Sequence, residues 1–176
     1  MNLSDLIFYK SLGIPLKQIQ TLEHSTPEEH EILFHEKIEE LKLHPLKITD
    51  IDTDCIVSFD LIEIDKLRQY IENPYLYSRV QYSDNIRTEQ RGLTISTEQR
   101  SHFPKAEVLW QKNSHTYITC LMKEEITDGY PNNLSELLAH IQKNYRTGSV
   151  ISRFLLCARE NGKLYDFYKT FVEIIP

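Results

Sequence analysis

Residues 149–176 constrain the fold of this chain more than any other stretch. SVISRFLLCAR and LYDFYKTFVEIIP are both rich in β-branched and aromatic residues, and Glu160-Asn161-Gly162-Lys163 lies between them. An Asn-Gly pair supplies the two positive-φ positions of a tight hairpin turn, so the segment predicts two long antiparallel strands. Period-2 alternation puts Tyr168, Thr170, Val172 and Ile174 on one face of the second strand. Phe167, Lys169, Phe171 and Glu173 fall on the other. A face with two rings, a lysine stem and a carboxylate is either the solvated side of a sheet or the floor of a pocket.

Upstream, the period changes twice. Thr26-Pro27-Glu28-Glu29 carries an N-cap threonine, a first-turn proline and a glutamate three residues on, the signature of a capping box. The helix it opens is expected to run to about Leu43, where His44-Pro45 stops it, with Phe34, Ile38 and Leu41 as an apolar stripe widened by Ile32 and Leu33. That stripe packs on its own domain or forms a dimer seam. Two shorter helices precede it, over residues 3–12 and from Pro15 to Leu22.

From Ile48 the readable elements are a strand at Cys55–Phe59 and a helix at Ile64–Ile71. A strand follows at Arg91–Ser96, behind a polar segment, Ser83–Gln90, that fits no template. Two strands at Glu107–Lys112 and Thr116–Lys123 come next, then a turn at Asp128-Gly129-Tyr130-Pro131. A helical face over Leu134, Leu137, Leu138, Ile141 and Tyr145 is ended by Gly148, and the hairpin completes the chain. The order is β-α-β-β twice. Two such units side by side make an α+β fold, an antiparallel sheet with both helices on one face and the other face free for a ligand.

Few chemical signatures compete with that reading. His30 and His35 flank a segment one residue too long for a zinc-protease helix, because i and i+5 lie about 140° apart. There is no paired Cys/His spacing and no glycine-rich phosphate loop, so neither metal nor cofactor is assigned. No catalytic signature stands out. A net charge of −6 argues against a nucleic-acid surface. Cys55, Cys120 and Cys157 all sit in strand-like runs and are expected to be buried thiols. No long apolar run and no signal-peptide pattern is present, which predicts a cytoplasmic protein away from the membrane. The candidate ligand residues are the strand aromatics Trp110, Tyr117, Phe154 and Tyr168, with Leu156 and Glu173 on the hairpin. Rings suit flat or cationic ligands, and a carboxylate adds charge complementarity. Core packing of the same rings is the competing reading.

Two stretches carry a family resemblance. Residues 6–22, LIFYKSLGIPLKQIQTL, resemble the last two helices of the DNA-binding region in MerR-type regulators, and the Thr26–Leu43 helix stands where their dimerising rod does. From about residue 48 to Pro176 the chain resembles the GyrI-like effector-binding domain of multidrug-sensing MerR regulators. The matches are Arg91–Ser96 (RGLTIS), the Leu134–Tyr145 helix before Val150-Ile151-Ser152, and the terminal VEIIP. The resemblance implies remnant DNA-binding helices over 1–24, a linker and dimerisation helix over 25–47, and a duplicated effector domain over 48–176. It implies a homodimer through residues 27–43 and a hydrophobic or cationic small molecule on the open sheet face. Because the chain begins inside the DNA-binding region, this chain alone is expected not to bind DNA, as a fragment of a regulator or an effector-only protein. The family's acidic pocket position aligns with Leu156, leaving Glu173 as the substitute. A GyrI-like hydrolase and a protein-binding inhibitor module are the alternative expectations.

Overall fold

The computed structural model describes residues 46–51, 53–59 and 77–176, with isolated positions between 20 and 36. The chain divides into two compact units, Met1–Pro45 and Leu46–Pro176. In the first, the capping box is present: the Thr26 amide donates to Glu29 Oε2 at 2.8 Å, and the Glu29 amide donates to Thr26 Oγ1 at 3.3 Å. These reciprocal bonds satisfy two N–H groups that a helix start otherwise leaves unpaired. Glu29, Ile32, Leu33 and Glu36 are helical, with Leu33 buried and Ile32 exposed. The two predicted N-terminal helices, apart from helical Gln20, and the stripe positions Phe34, Ile38 and Leu41 lie outside the described residues, as does the predicted 64–71 helix.

The second unit is an eight-stranded sheet with one described α-helix. Its strands are β1 (Lys47–Thr49), β2 (Cys55–Ser58), β3 (Tyr77–Tyr82), β4 (Asn85–Ile95), β5 (Val108–Gln111), β6 (Thr116–Glu125), β7 (Arg146–Glu160) and β8 (Lys163–Ile175). The helix α1 spans Leu134–Ile141, between β6 and β7. Every strand pairing is antiparallel, and the order is β1-β6-β8-β7-β3-β4-β2-β5. The predicted hairpin is β7–β8, turning at Asn161 (φ 51°) and Gly162 (φ 79°).

Three elements differ from the sequence expectation. The polar segment Ser83–Gln90 is the turn and first half of β4, one long strand whose hairpin partner β3 carries no alternation strong enough to read. Helix α1 stops at Ile141, short of Tyr145, because Ile141 is the last residue that reaches the core. Gly148 lies inside β7, where the absence of a side chain makes room: a Cβ there would sit 2.6 Å from Glu173 Oε2.

The sheet has two unlike faces. On one, Leu134, Leu138 and Ile141 of α1 bury themselves against Ile118, Met122, Val150, Tyr168 and Val172. A second cluster, Cys55, Val57, Phe59, Leu93 and Ile95, continues the apolar surface across β2 and β4. On the other face, Ile56, Val80, Trp110, Tyr117, Ile151 and Phe171 pack together with Ile51. These side chains come from both ends of the strand order, so the sheet curls. Six strand spacings separate β6 from β5, about 29 Å if flat. The chain from Gln111 to Thr116 reaches at most about 18 Å. Only a curled sheet closes that gap, and the Trp110 and Tyr117 rings meet edge to face across it, 6.2 Å between centroids. This face, which carries no described helix, is therefore concave and closed at the Trp110 end. It is not an open surface.

Candidate functional site: a cleft beside a closed aromatic floor

The closed end of the concave face is held by Glu173. Its carboxylate accepts the Ser149 amide (2.8 Å) and Ser149 hydroxyl (2.5 Å) at one oxygen, and Asn113 Nδ2 (2.5 Å) with His115 Nδ1 (2.6 Å) at the other. Trp110 Nε1 donates to the same serine hydroxyl at 3.2 Å, and the Tyr117 hydroxyl donates to Asn113 Oδ1 at 3.1 Å. Burial alone would push the Glu173 carboxyl up, but the bonds from Ser149, His115 and Asn113 outweigh it and hold it below its ordinary value. Tyr117 moves the opposite way, raised by burial and by the neighbouring Glu173 charge. Trp110, Tyr117 and Glu173, three of the sequence-predicted ligand residues, thus come together, but as a saturated and buried assembly.

The other three are divided between the faces. Phe154 pairs with Tyr168 and packs against it edge to face, 5.9 Å between centroids, on the α1 side. Leu156 pairs with Phe167, on the concave side. Two residues apart, Phe154 and Leu156 would share a face in a regular strand. The register shift between them, at Leu155, turns Leu156 over. The hairpin therefore does not present Phe154, Leu156 and Glu173 as one wall, as period-2 logic expected. Tyr168 is engaged as well: Arg79 Nη2 donates to its hydroxyl, and the guanidinium lies 4.2 Å from its ring centroid. Arg79 also forks onto Glu124 at 2.7 and 2.8 Å, a buried bidentate ion pair.

The cations on the concave face lie nearer its middle. Arg153 and Lys169 are directly opposite one another on β7 and β8, with the Phe171 ring 5.4 and 5.2 Å from their charged groups. Lys123 pairs with Glu160 and stands 3.9 Å from the Tyr165 ring centroid.

A cavity of about 690 Å3 opens at the β2–β4 margin, against the segment that joins β4 to β5. That volume falls within the range of small-molecule sites. Its apolar lining is Phe59, Phe103, Pro104, Ala106 and Leu109, and its polar lining includes Ser58 and Gln90 with Arg91, His102 and Lys105. The joining segment contains a 3-10 turn, Glu98–His102, and is tied down along its length. Arg100 donates to the Phe103 carbonyl and, at 3.1 Å, to the Ala106 carbonyl. Ser58 and Glu107 exchange backbone and side-chain bonds at 2.7 and 3.0 Å, and the Thr97 amide donates to Asp54 at 3.1 Å. On the sheet side, Gly92 lets the chain layers close up: a Cβ there would sit 2.4 Å from the Val57 carbonyl and 2.9 Å from Leu109 Cδ1. The walls are pre-formed rather than assembled by a ligand. None of these lining residues is among the sequence-predicted ligand residues: Ser58, Phe59 and Leu109 were legible only as strand residues, and Arg91 only through the RGLTIS stretch. The loop residues have no periodicity, and their convergence with β2 is set by a non-local pairing.

Among the described residues no cluster of three or more His, Cys, Asp or Glu side chains could hold a metal ion. No helix among them is long and apolar enough to cross a membrane. The three cysteines are free thiols; Cys55 is buried, Cys120 half-buried and Cys157 exposed, so the expected burial of all three does not extend to Cys157. No protein-family model and no curated protein matches the sequence.

Proposed function

We propose that this chain is the effector-binding part of a MerR-type regulator, with a GyrI-like domain over residues 48–176 that takes up a hydrophobic small molecule. The observation that carries this reading is the strand order. Outward from the β7–β3 seam it runs β7-β8-β6 on one side and β3-β4-β2 on the other. On both sides the second strand of a unit is innermost, the third is next and the first is outermost. Two β-α-β-β copies related by a two-fold axis produce that order. The preformed cavity at the β2–β4 margin supports ligand uptake, and the RGLTIS stretch that carries the resemblance borders that cavity. The buried carboxylates are both committed, Glu124 to the Arg79 ion pair and Glu173 to hydrogen bonds with Ser149, Asn113 and His115, and neither lines the cavity, which favours stoichiometric binding over turnover. The helix opened by Thr26 is the dimerising rod of this reading.

A thermal-shift screen with neutral aromatics, aromatic acids and cationic dyes tests it. A ligand at 100 times its Kd stabilises the fold by about 2.7 kcal/mol. A panel in which no compound of any class moves the melting temperature contradicts the ligand-binding reading.

A further inference from the structure

The cavity at the β2–β4 margin has a lining of unbalanced charge. Its five apolar side chains make a greasy surface broad enough for a ring system. Three basic side chains, Arg91, His102 and Lys105, stand around it, and no aspartate or glutamate is among its described lining residues. In a chain of net charge −6 this is a local reversal of sign. The donors are also available. Neither His102 nor Lys105 makes a hydrogen bond or ion pair with any described residue. Arg91 gives only its Nε to Glu89, at 2.5 Å, leaving both terminal amino groups without a described acceptor. Glu89 itself is turned toward Arg79, at 3.3 Å.

From this we infer that the cavity selects an aromatic or otherwise apolar ligand bearing an acidic group, a carboxylate, sulfonate or phosphate. The rings of Phe59 and Phe103 with Leu109 take the apolar body. Arg91 Nη1 and Nη2, which can grip an anion in two-pronged fashion, take the acid together with Lys105. The inference rests on the proposed small-molecule role and specifies its ligand class. It does not use Glu173, whose lone pairs are already occupied by four donors.

Three probes that share a naphthalene ring separate the claims: 1-naphthalenesulfonate, 1-naphthol and 1-naphthylmethylammonium, titrated calorimetrically into the full chain. The expected order is sulfonate tightest, by about tenfold or more over naphthol, as charge-assisted bonds to a fixed anion imply. Raising the salt concentration weakens the sulfonate alone. Arg91→Gln and Lys105→Glu each lower sulfonate affinity far more than naphthol affinity and so remove most of the sulfonate preference. Both positions are exposed, so both variants fold. Gln90→Trp, a bulky group placed in the cavity, abolishes binding of both. Equal affinity for sulfonate and naphthol, or preference for the ammonium, overturns the acidic-ligand inference while leaving hydrophobic-ligand binding in place. No binding of any of the three overturns both. A sulfonate preference untouched by Arg91→Gln and Lys105→Glu overturns the assignment to this cavity.

Discussion

Replacing Glu173 by glutamine tests how the closed end of the concave face is held. The carboxylate accepts four hydrogen bonds, two at each oxygen, from Ser149 on one side and from Asn113 and His115 on the other. An amide presents its oxygen to only one of these pairs. With that oxygen kept toward Ser149, the new NH2 faces the Asn113 amide and the His115 ring. The imidazole accommodates it by carrying its proton on Nε2, but the Asn113 donor loses its acceptor. One unsatisfied donor, together with weaker neutral bonds in place of charge-assisted ones, costs about 2–3 kcal/mol. For a folded unit of this size that is roughly 8–12 °C in melting temperature. The pH dependence adds a second readout. The folded-state pKa of Glu173 is depressed, so its contribution is fully present above the unfolded value near 4.5 and is lost as pH falls through the folded value. The gap between the native protein and Glu173→Gln is therefore widest near neutrality and closes in acid. Melting curves from pH 7 to pH 3 measure it. A variant that melts within about 1 °C of the native protein at pH 7, or a deficit that does not shrink in acid, refutes the reasoning.

Gly92→Ala places a methyl 2.4 Å from the Val57 carbonyl and 2.7 Å from Ile56 Cγ2. That carbonyl belongs to the β2–β4 ladder and cannot retreat, so calorimetry should show a loss of about 1–3 kcal/mol; an unchanged melting temperature contradicts the packing. Removing one member of the Arg79–Glu124 pair, as in Arg79→Met, leaves a buried carboxylate without its bidentate partner and should cost about 3–5 kcal/mol in urea unfolding. Thiol labelling of the native protein at pH 8 should modify Cys157 first. Cys120 is protected both by packing and by a thiol that burial pushes up to about 12. Equal rates at all three cysteines contradict that order.

The elements legible in the sequence are those whose pattern is local. The β7–β8 hairpin is written in Asn161-Gly162, and the face of β8 follows from its alternation because no bulge interrupts that part of the strand. Helix α1 is written in the spacing of Leu134, Leu138 and Ile141. Strand β3 and the first half of β4 carry polar residues on both faces, and period-2 logic has nothing to grip there. The candidate site was less legible for the same reason. One register shift at Leu155 reverses Leu156 relative to Phe154, and a shift of this kind leaves no mark in composition. Glu173 reads as an available carboxylate until Asn113 and His115, about sixty residues away along the chain, are folded against it. Trp110 and Tyr117 were legible as strand residues but not as members of one face, and the curl that buries them follows from strand order. The cavity depends on a loop with no periodicity meeting a strand some forty residues earlier, and only its RGLTIS border was in view.

The central claim is that the unit binds a small molecule in the cavity at the β2–β4 margin. Titrating 1-naphthalenesulfonate into isotopically labelled protein and mapping amide shifts tests it most directly. The account predicts saturable shifts confined to Ser58, residues 90–92 and residues 102–109. Saturable shifts centred instead on α1 or on the Trp110–Tyr117 floor, or no saturable shifts at all, contradict it.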